Sequence, residues 1–179
     1  MTALWFSQWR PSGLIAVTRT RLLAPLACLL LLLPLLLLQP PRVEAAMDYA
    51  KQVLIDADFS KRDLRGVTFN LTNLRDSNLS GSDLRAASLF GAKLQDADLS
   101  NTDLREATLD SAVFDGTNLS NAVLEDAFAF NTRFRNVTIT GADFTNVPLR
   151  GDVLNTLCAV ADGTNSVTGR STRDSLGCS

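Results

Sequence analysis

Between Ile55 and Leu149 an apolar residue returns at every fifth position, with no insertion or deletion. The series is Phe59, Leu64, Phe69, Leu74, Leu79, Leu84, Leu89, Leu94, Leu99, Leu104, Leu109, Phe114, Leu119, Leu124, Ala129, Phe134, Ile139, Phe144 and Leu149, in which only Ala129 is not bulky. Two residues before each centre stands a small or β-branched side chain, as at Ala57, Val67, Thr72, Ala87 and Ala107, with Arg62 the exception. A period of five fits neither regular element: on a helix it advances about 140° per step, and on a strand an odd period alternates faces. A chain that turns one corner per period keeps every centre inside, so the pattern predicts a coil wound around a column of side chains.

Glycine placement locates the corner. Gly66, Gly81, Gly91, Gly116, Gly141 and Gly151 all fall two residues after a centre, and Asn101, Asn121, Asn131, Asn136 and Asn146 share that phase. These residue types reach positive φ at least cost, as a tight turn requires. The number of corners per coil follows from repeats of chemistry at longer range. Asp-Leu-Arg recurs at Asp63, Asp83 and Asp103, and the units starting at Asn78, Asp98 and Asn118 are likewise twenty residues apart. Four periods of five per coil predict a four-sided solenoid.

Ala97-Asp98-Leu99-Ser100-Asn101 and Ala142-Asp143-Phe144-Thr145-Asn146 resemble the A(D/N)LXX unit of the pentapeptide-repeat family, and the resemblance covers the whole five-residue series. It implies a β-solenoid of the right-handed quadrilateral β-helix type. Over residues 55–149 this amounts to about 4.75 coils, or roughly 23 Å of column at about 4.8 Å per coil.

The ends break the rhythm. Residues 46–54 form an N-terminal cap in this reading, with Asp48 as N-cap and Tyr49 and Val53 on one face of a helical turn. Residues 150–179 form a C-terminal cap. Its first helix starts near Asp152 and aligns Val153, Leu154, Leu157, Cys158 and Val160, and a short second one runs from Ser171, with Asp174 as its capping partner, to Gly177.

Residues 1–45 have the composition of a cleavable leader. Arg10, Arg19 and Arg21 precede the apolar run Leu22 to Leu38, and Val43-Glu44-Ala45 offers small residues for cleavage before Ala46. The alternative is a retained anchor, since the run is near the lower limit for a span; Pro25 and Pro34 interrupt it. Cys28 is a poor lipoprotein site, because ten more apolar residues follow it.

Composition then narrows the chemistry. The chain has 17 Lys+Arg and 19 Asp+Glu; four arginines and one glutamate lie in the leader, which leaves the remainder at a net charge of −5. A nucleic-acid backbone is repelled on average. There is no histidine, and Ser, Asp and Arg follow the repeat phase instead of converging from separate segments. No catalytic constellation, phosphate-binding loop, metal site, cofactor or small-molecule substrate is expected.

Three outward features can carry information. Asp63, Asp83 and Asp103 form one column and Arg65, Arg85 and Arg105 another, read either as a recognition stripe or, the favoured reading, as an ion-pair lattice that ends where Glu125 replaces arginine. Phe128 and Phe130 flank the shrunken centre Ala129, with Phe90 in the column of Phe130. They are either an exposed partner surface or rings covered by the C-terminal segment or drawn in by a local bulge. Cys158 and Cys178 are the cysteines left after leader removal and predict a disulfide across a twenty-residue separation.

The C-terminal pattern Leu157-Cys158, Gly163-Thr164-Asn165, Thr168-Gly169, Thr172-Arg173, Ser175-Leu176 and Cys178 is similar to that of pentapeptide-repeat proteins of the cyanobacterial and chloroplast thylakoid lumen. The resemblance implies an exported protein of the thylakoid lumen or periplasm. Its expected role is a non-catalytic, rigid scaffold or assembly factor for another lumenal or periplasmic protein. The alternatives are a DNA-mimicking topoisomerase inhibitor, disfavoured by the leader and the interleaved arginines, and a regulator switched through the Cys158/Cys178 bond.

Overall fold

The structure is a computed structural model that describes residues 47–179. The leader, its cleavage before Ala46 and the question of an anchor lie outside the described residues. Among those residues no helix is long and apolar enough to cross a membrane.

From Asp48 onward the chain winds as a solenoid with one short extended side per five residues. Parallel bridges join residues twenty apart, from Asp48↔Thr68 to Val123↔Asp143. In two layers one side lengthens into strands, β1 (Val113–Asp115) and β2 (Arg133–Arg135), which pair in parallel with Phe114 opposite Phe134. Within a side the centre and the residue two before it point inward while the residues flanking the centre point out, the alternation of a strand. A turn then ends the side: Ala87 N–H donates to Leu84 O at 3.0 Å, with Ala86 at φ 55° between them. Adjacent layers are joined by bonds such as Leu84 N–H to Asp103 O at 2.8 Å and Ala86 N–H to Arg105 O at 2.9 Å.

The repeat unit explains its own residue preferences. Leucine centres from Leu64 to Leu124 are buried in a single hydrophobic cluster. Serine and threonine at the small inward position satisfy their hydroxyls on backbone carbonyls, as Ser77 does on Leu74 O and Thr117 on Leu94 O. Where an Asp or Asn precedes a centre it accepts the backbone N–H two residues on, at Asp58, Asn78, Asp98 and Asn118 among others. That bond is an Asx turn, which supplies a partner for an amide on the outward bend.

Several expectations change. Among the described residues no helical turn covers the N-terminal end. Tyr49 and Leu54 are further repeat centres, Tyr49 N–H donates to Thr68 O at 2.8 Å, and the Tyr49 ring stacks on Phe69 at 5.2 Å. Asp48 accepts Ala50 N–H at 2.9 Å, so the acid read as a helix cap makes the Asx turn of the first side. The solenoid therefore begins within residues 46–54 and not after them. Arg62 is tolerated at a small-residue position because it lies in this first layer, with its guanidinium over the Phe59 ring at 5.4 Å.

At the other end α1 (Gly151–Val160) and α2 (Thr172–Leu176) follow the last side. Leu157 is buried in the core cluster, whereas Leu154, expected on the same apolar helix face, is only partly buried and Val160 is exposed. Gly151 opens α1 and makes no corner, because the five-residue phase ends there. Ser171 Oγ accepts Asp174 N–H at 3.1 Å, and Gly177 closes α2 at φ 68°.

Candidate functional site

Two sides of the solenoid and the C-terminal segment hold the residues singled out by the sequence. On the charged side each aspartate serves its own backbone and its own arginine. Asp63 Oδ1 accepts Arg65 N–H at 3.3 Å and Arg65 Nε–H at 2.8 Å, while Oδ2 takes Nη2 at 2.6 Å. Asp83 with Arg85 and Asp103 with Arg105 repeat the arrangement. Between layers Arg65 reaches Asp83, and Arg85 reaches Asp103, at 3.6 Å. The Arg65 side chain and backbone hold Asp63 down to about 2, Asp83 is lowered first by the side-chain bond from Arg85, and both arginines are raised by the same contacts. The columns form an ion-pair lattice. The groove of about 510 Å³ beside Arg65, Arg85 and Arg105 is thus lined by guanidinium groups already engaged.

Where Glu125 interrupts the arginine column, Arg170 of the C-terminal segment completes it. Its guanidinium donates to Glu125 Oε1 at 2.8 Å, Asp143 Oδ2 at 3.0 Å and Thr145 Oγ1 at 2.9 Å. The Asp143 side chain is fully buried. Burial alone would raise it, but hydrogen bonds from Thr145 and Thr168 and the charge of Arg170 outweigh that, and the carboxyl lies below the usual range. Asn165, also buried, donates to the carbonyls of Asn121, Ala122 and Gly141 and accepts Val167 and Thr168 N–H. Sequence reasoning assigned Arg170 and Asn165 no role, since neither has a repeat phase; the signal available for Asn165 was its place in the C-terminal pattern.

Cys158 and Cys178 are bonded, with Cα atoms 5.6 Å apart, and tie α1 to the end of α2. Arg173 adds a bond to Cys158 O at 3.0 Å.

The aromatic side is unlike the other three. Phe90, Phe128 and Phe130 are 45%, 59% and 55% exposed, and Leu71, on the same side, is exposed as well. Neither covering by the C-terminal segment nor an inward bulge of a ring occurs: Ala129 keeps the centre position, buried, and Phe128 keeps its bridge to Thr108. The corner after it is disturbed nevertheless. Asn131 N–H turns to Asp110 Oδ1 at 3.4 Å, and among the described residues the layer bond from Ser111 N–H to Phe130 O is missing.

The family model for pentapeptide repeats, which describes eight copies of the unit, matches residues 53–89, 87–126 and 118–151. The thylakoid lumenal 15 kDa protein 1, chloroplastic, of Arabidopsis thaliana is 60% identical over 48 residues, which are 27% of this chain and 21% of that protein, so the match spans about a fifth of the relative's length. The crystal structure of a pentapeptide repeat protein from the Arabidopsis thaliana thylakoid lumen shares 46% identity over 74% of this chain and 86% of its own, with a TM-score of 0.58. The five-residue coil, the layer spacing of twenty and these matches together place the chain in the pentapeptide-repeat family, whose right-handed β-helix it adopts.

Proposed function

We propose that this protein is a non-catalytic scaffold of the thylakoid lumen, or of a cyanobacterial periplasm, that binds another protein through its aromatic side. The observation that carries the reading is the group Leu71, Phe90, Phe128 and Phe130, exposed together on one side while their own centres Phe69, Leu89 and Ala129 are buried. Monomeric proteins rarely leave such rings clustered in water without a use for them. The repeat architecture supports a rigid platform, because each layer is hydrogen-bonded to the next along every side. The compartment rests on the two lumenal relatives and on the leader, whose removal before Ala46 belongs to the same proposal. The interleaved arginines, each tied to an aspartate, leave no uninterrupted acidic face of the kind that mimicry of DNA would need. The disulfide is read as a permanent staple of the C-terminal segment.

The test is affinity capture of the mature, exported protein from membranes of the cells that make it, with wild type beside the Phe128→Ser, Phe130→Ser double variant. Loss of a partner in the double variant supports the aromatic side, and identical partners in both remove it.

A further inference from the structure

We infer that the aromatic side recognises a partner segment in which basic and apolar side chains alternate, with an arginine or lysine seated on Asp110 between Phe90 and Phe130. This rests on reading that side as a protein-binding surface and goes further by assigning the partner's chemistry. Phe90, Asp110 and Phe130 are stacked in one outward column at successive twenty-residue steps, so the column reads apolar, acidic, apolar. At about 4.8 Å per layer the two phenylalanines lie roughly 10 Å apart with the carboxylate midway. A cation hydrogen-bonded to that carboxylate comes within about 6 Å of a ring on either side, the range of cation–π attraction.

The charges around the rings have no cation of their own. Glu106, Asp110 and Asp126 border Phe128 and Phe130, and among the described residues none of the three makes a salt bridge. The adjoining side is the contrast, because there Asp63, Asp83 and Asp103 are each matched by arginine within one unit. Asp63, Asp83 and Asp103 thus each have a cation beside them, whereas Glu106, Asp110 and Asp126 make no salt bridge among the described residues. The basic residues of the aromatic side, Lys51 and Arg150, stand at its two ends, and Arg150 is paired with Asp152 at 3.2 Å. A second copy would bring the same acids against these, and an anionic lipid surface would be repelled by them. The apolar contacts extend past the column: the Leu71 side chain lies across the place where a Cβ on Gly91 would stand, 2.7 Å from Cδ2, so Leu71 continues the surface beside Phe90.

The experiment replaces Phe128 with the photo-crosslinker p-benzoylphenylalanine in the full-length chain, expressed in the cells that make it, and sequences the cross-linked peptide. The expected product carries lysine or arginine alternating with apolar residues. Its yield falls at least tenfold when Asp110→Asn is added, and Asp63→Asn on the charged side leaves it unchanged. Asparagine can still accept the Asn131 N–H, so Asp110→Asn keeps the fold, which a circular dichroism melt of each variant verifies. A cross-linked peptide that is acidic or uncharged, a product containing a second copy of this chain, or a yield indifferent to Asp110→Asn overturns the inference while leaving a protein-binding side in place. Cross-linking to lipid alone, or to nothing, removes both.

Discussion

Replacing Arg170 by methionine tests how the C-terminal segment is held to the solenoid. The substitution keeps the aliphatic stem and deletes the guanidinium that spans Glu125, Asp143 and Thr145. Asp143 is fully buried and Arg170 is 41% exposed, so the charges interact through a medium between protein and water. Two unit charges 3.0 Å apart attract by about 1.4–2.8 kcal/mol for an effective dielectric constant of about 80 down to 40, and ordering the arginine chain offsets part of this. The loss expected from the Asp143 contact is therefore about 1–2 kcal/mol. Urea unfolding of the oxidised protein measures it, and a cycle with Asp143→Asn isolates the pair. The acid limb gives a second readout. Because the folded Asp143 carboxyl lies below its ordinary value, its contribution is present above about pH 4, the unfolded value, and is lost as pH falls through the folded one. Without Arg170 the folded value rises and the acid loss starts at higher pH. A coupling below about 0.3 kcal/mol, within the error of additivity, together with an unmoved acid limb refutes the reasoning.

Leu104→Ala opens a hole in a column whose layers are fixed by hydrogen bonds above and below, and should lower stability by about 2–5 kcal/mol in urea melts. Arg85→Ala, by contrast, removes an exposed lattice member and should cost less than about 1 kcal/mol, with the difference from wild type shrinking as salt is raised. The Cys158→Ser, Cys178→Ser variant should lose about 3 kcal/mol by the chain-entropy estimate. A staple should also show a reduction potential below about −300 mV, and a value near that of soluble thiol carriers would make it a switch instead.

The solenoid was legible because one five-residue rule writes every side, an inward pair and a corner, with an Asx-forming acid or amide before about half of the centres. The same rule extends further toward the N-terminus than residue 55. Tyr49 and Leu54 are in phase with Phe59, yet Asp48 followed by apolar residues four apart also fits a helical turn, and Asp caps a helix by the same kind of local bond that it makes here. The exposed rings were legible only as an alternative, since position alone does not tell whether a later segment covers them. Arg170 and Asn165 were not legible as functional residues. Their partners, Glu125, Asp143 and the carbonyls of residues 121, 122 and 141, are set by where the chain returns after α1, which no periodicity encodes.

The corners have a consequence for how such a chain folds and how it drifts. Among the described residues fourteen other than glycine hold positive φ, including Leu71, Lys61 and Glu106. Each opposes its own preference by roughly 1 kcal/mol, so an isolated five-residue unit has no reason to bend this way. The bend persists because the amide at most corners is captured by the next layer, as in Lys61 N–H to Ser80 O at 2.9 Å, with the corner at Ser111 an exception. Layers should consequently form on one another, with no single layer stable alone, and hydrogen exchange should be fastest at the ends. Since the path is set between layers and not by the corner side chain, corner positions can carry lysine, leucine or glutamate without moving the backbone. The edges flanking each side are thus where members of one lineage can acquire different surfaces on an unchanged frame.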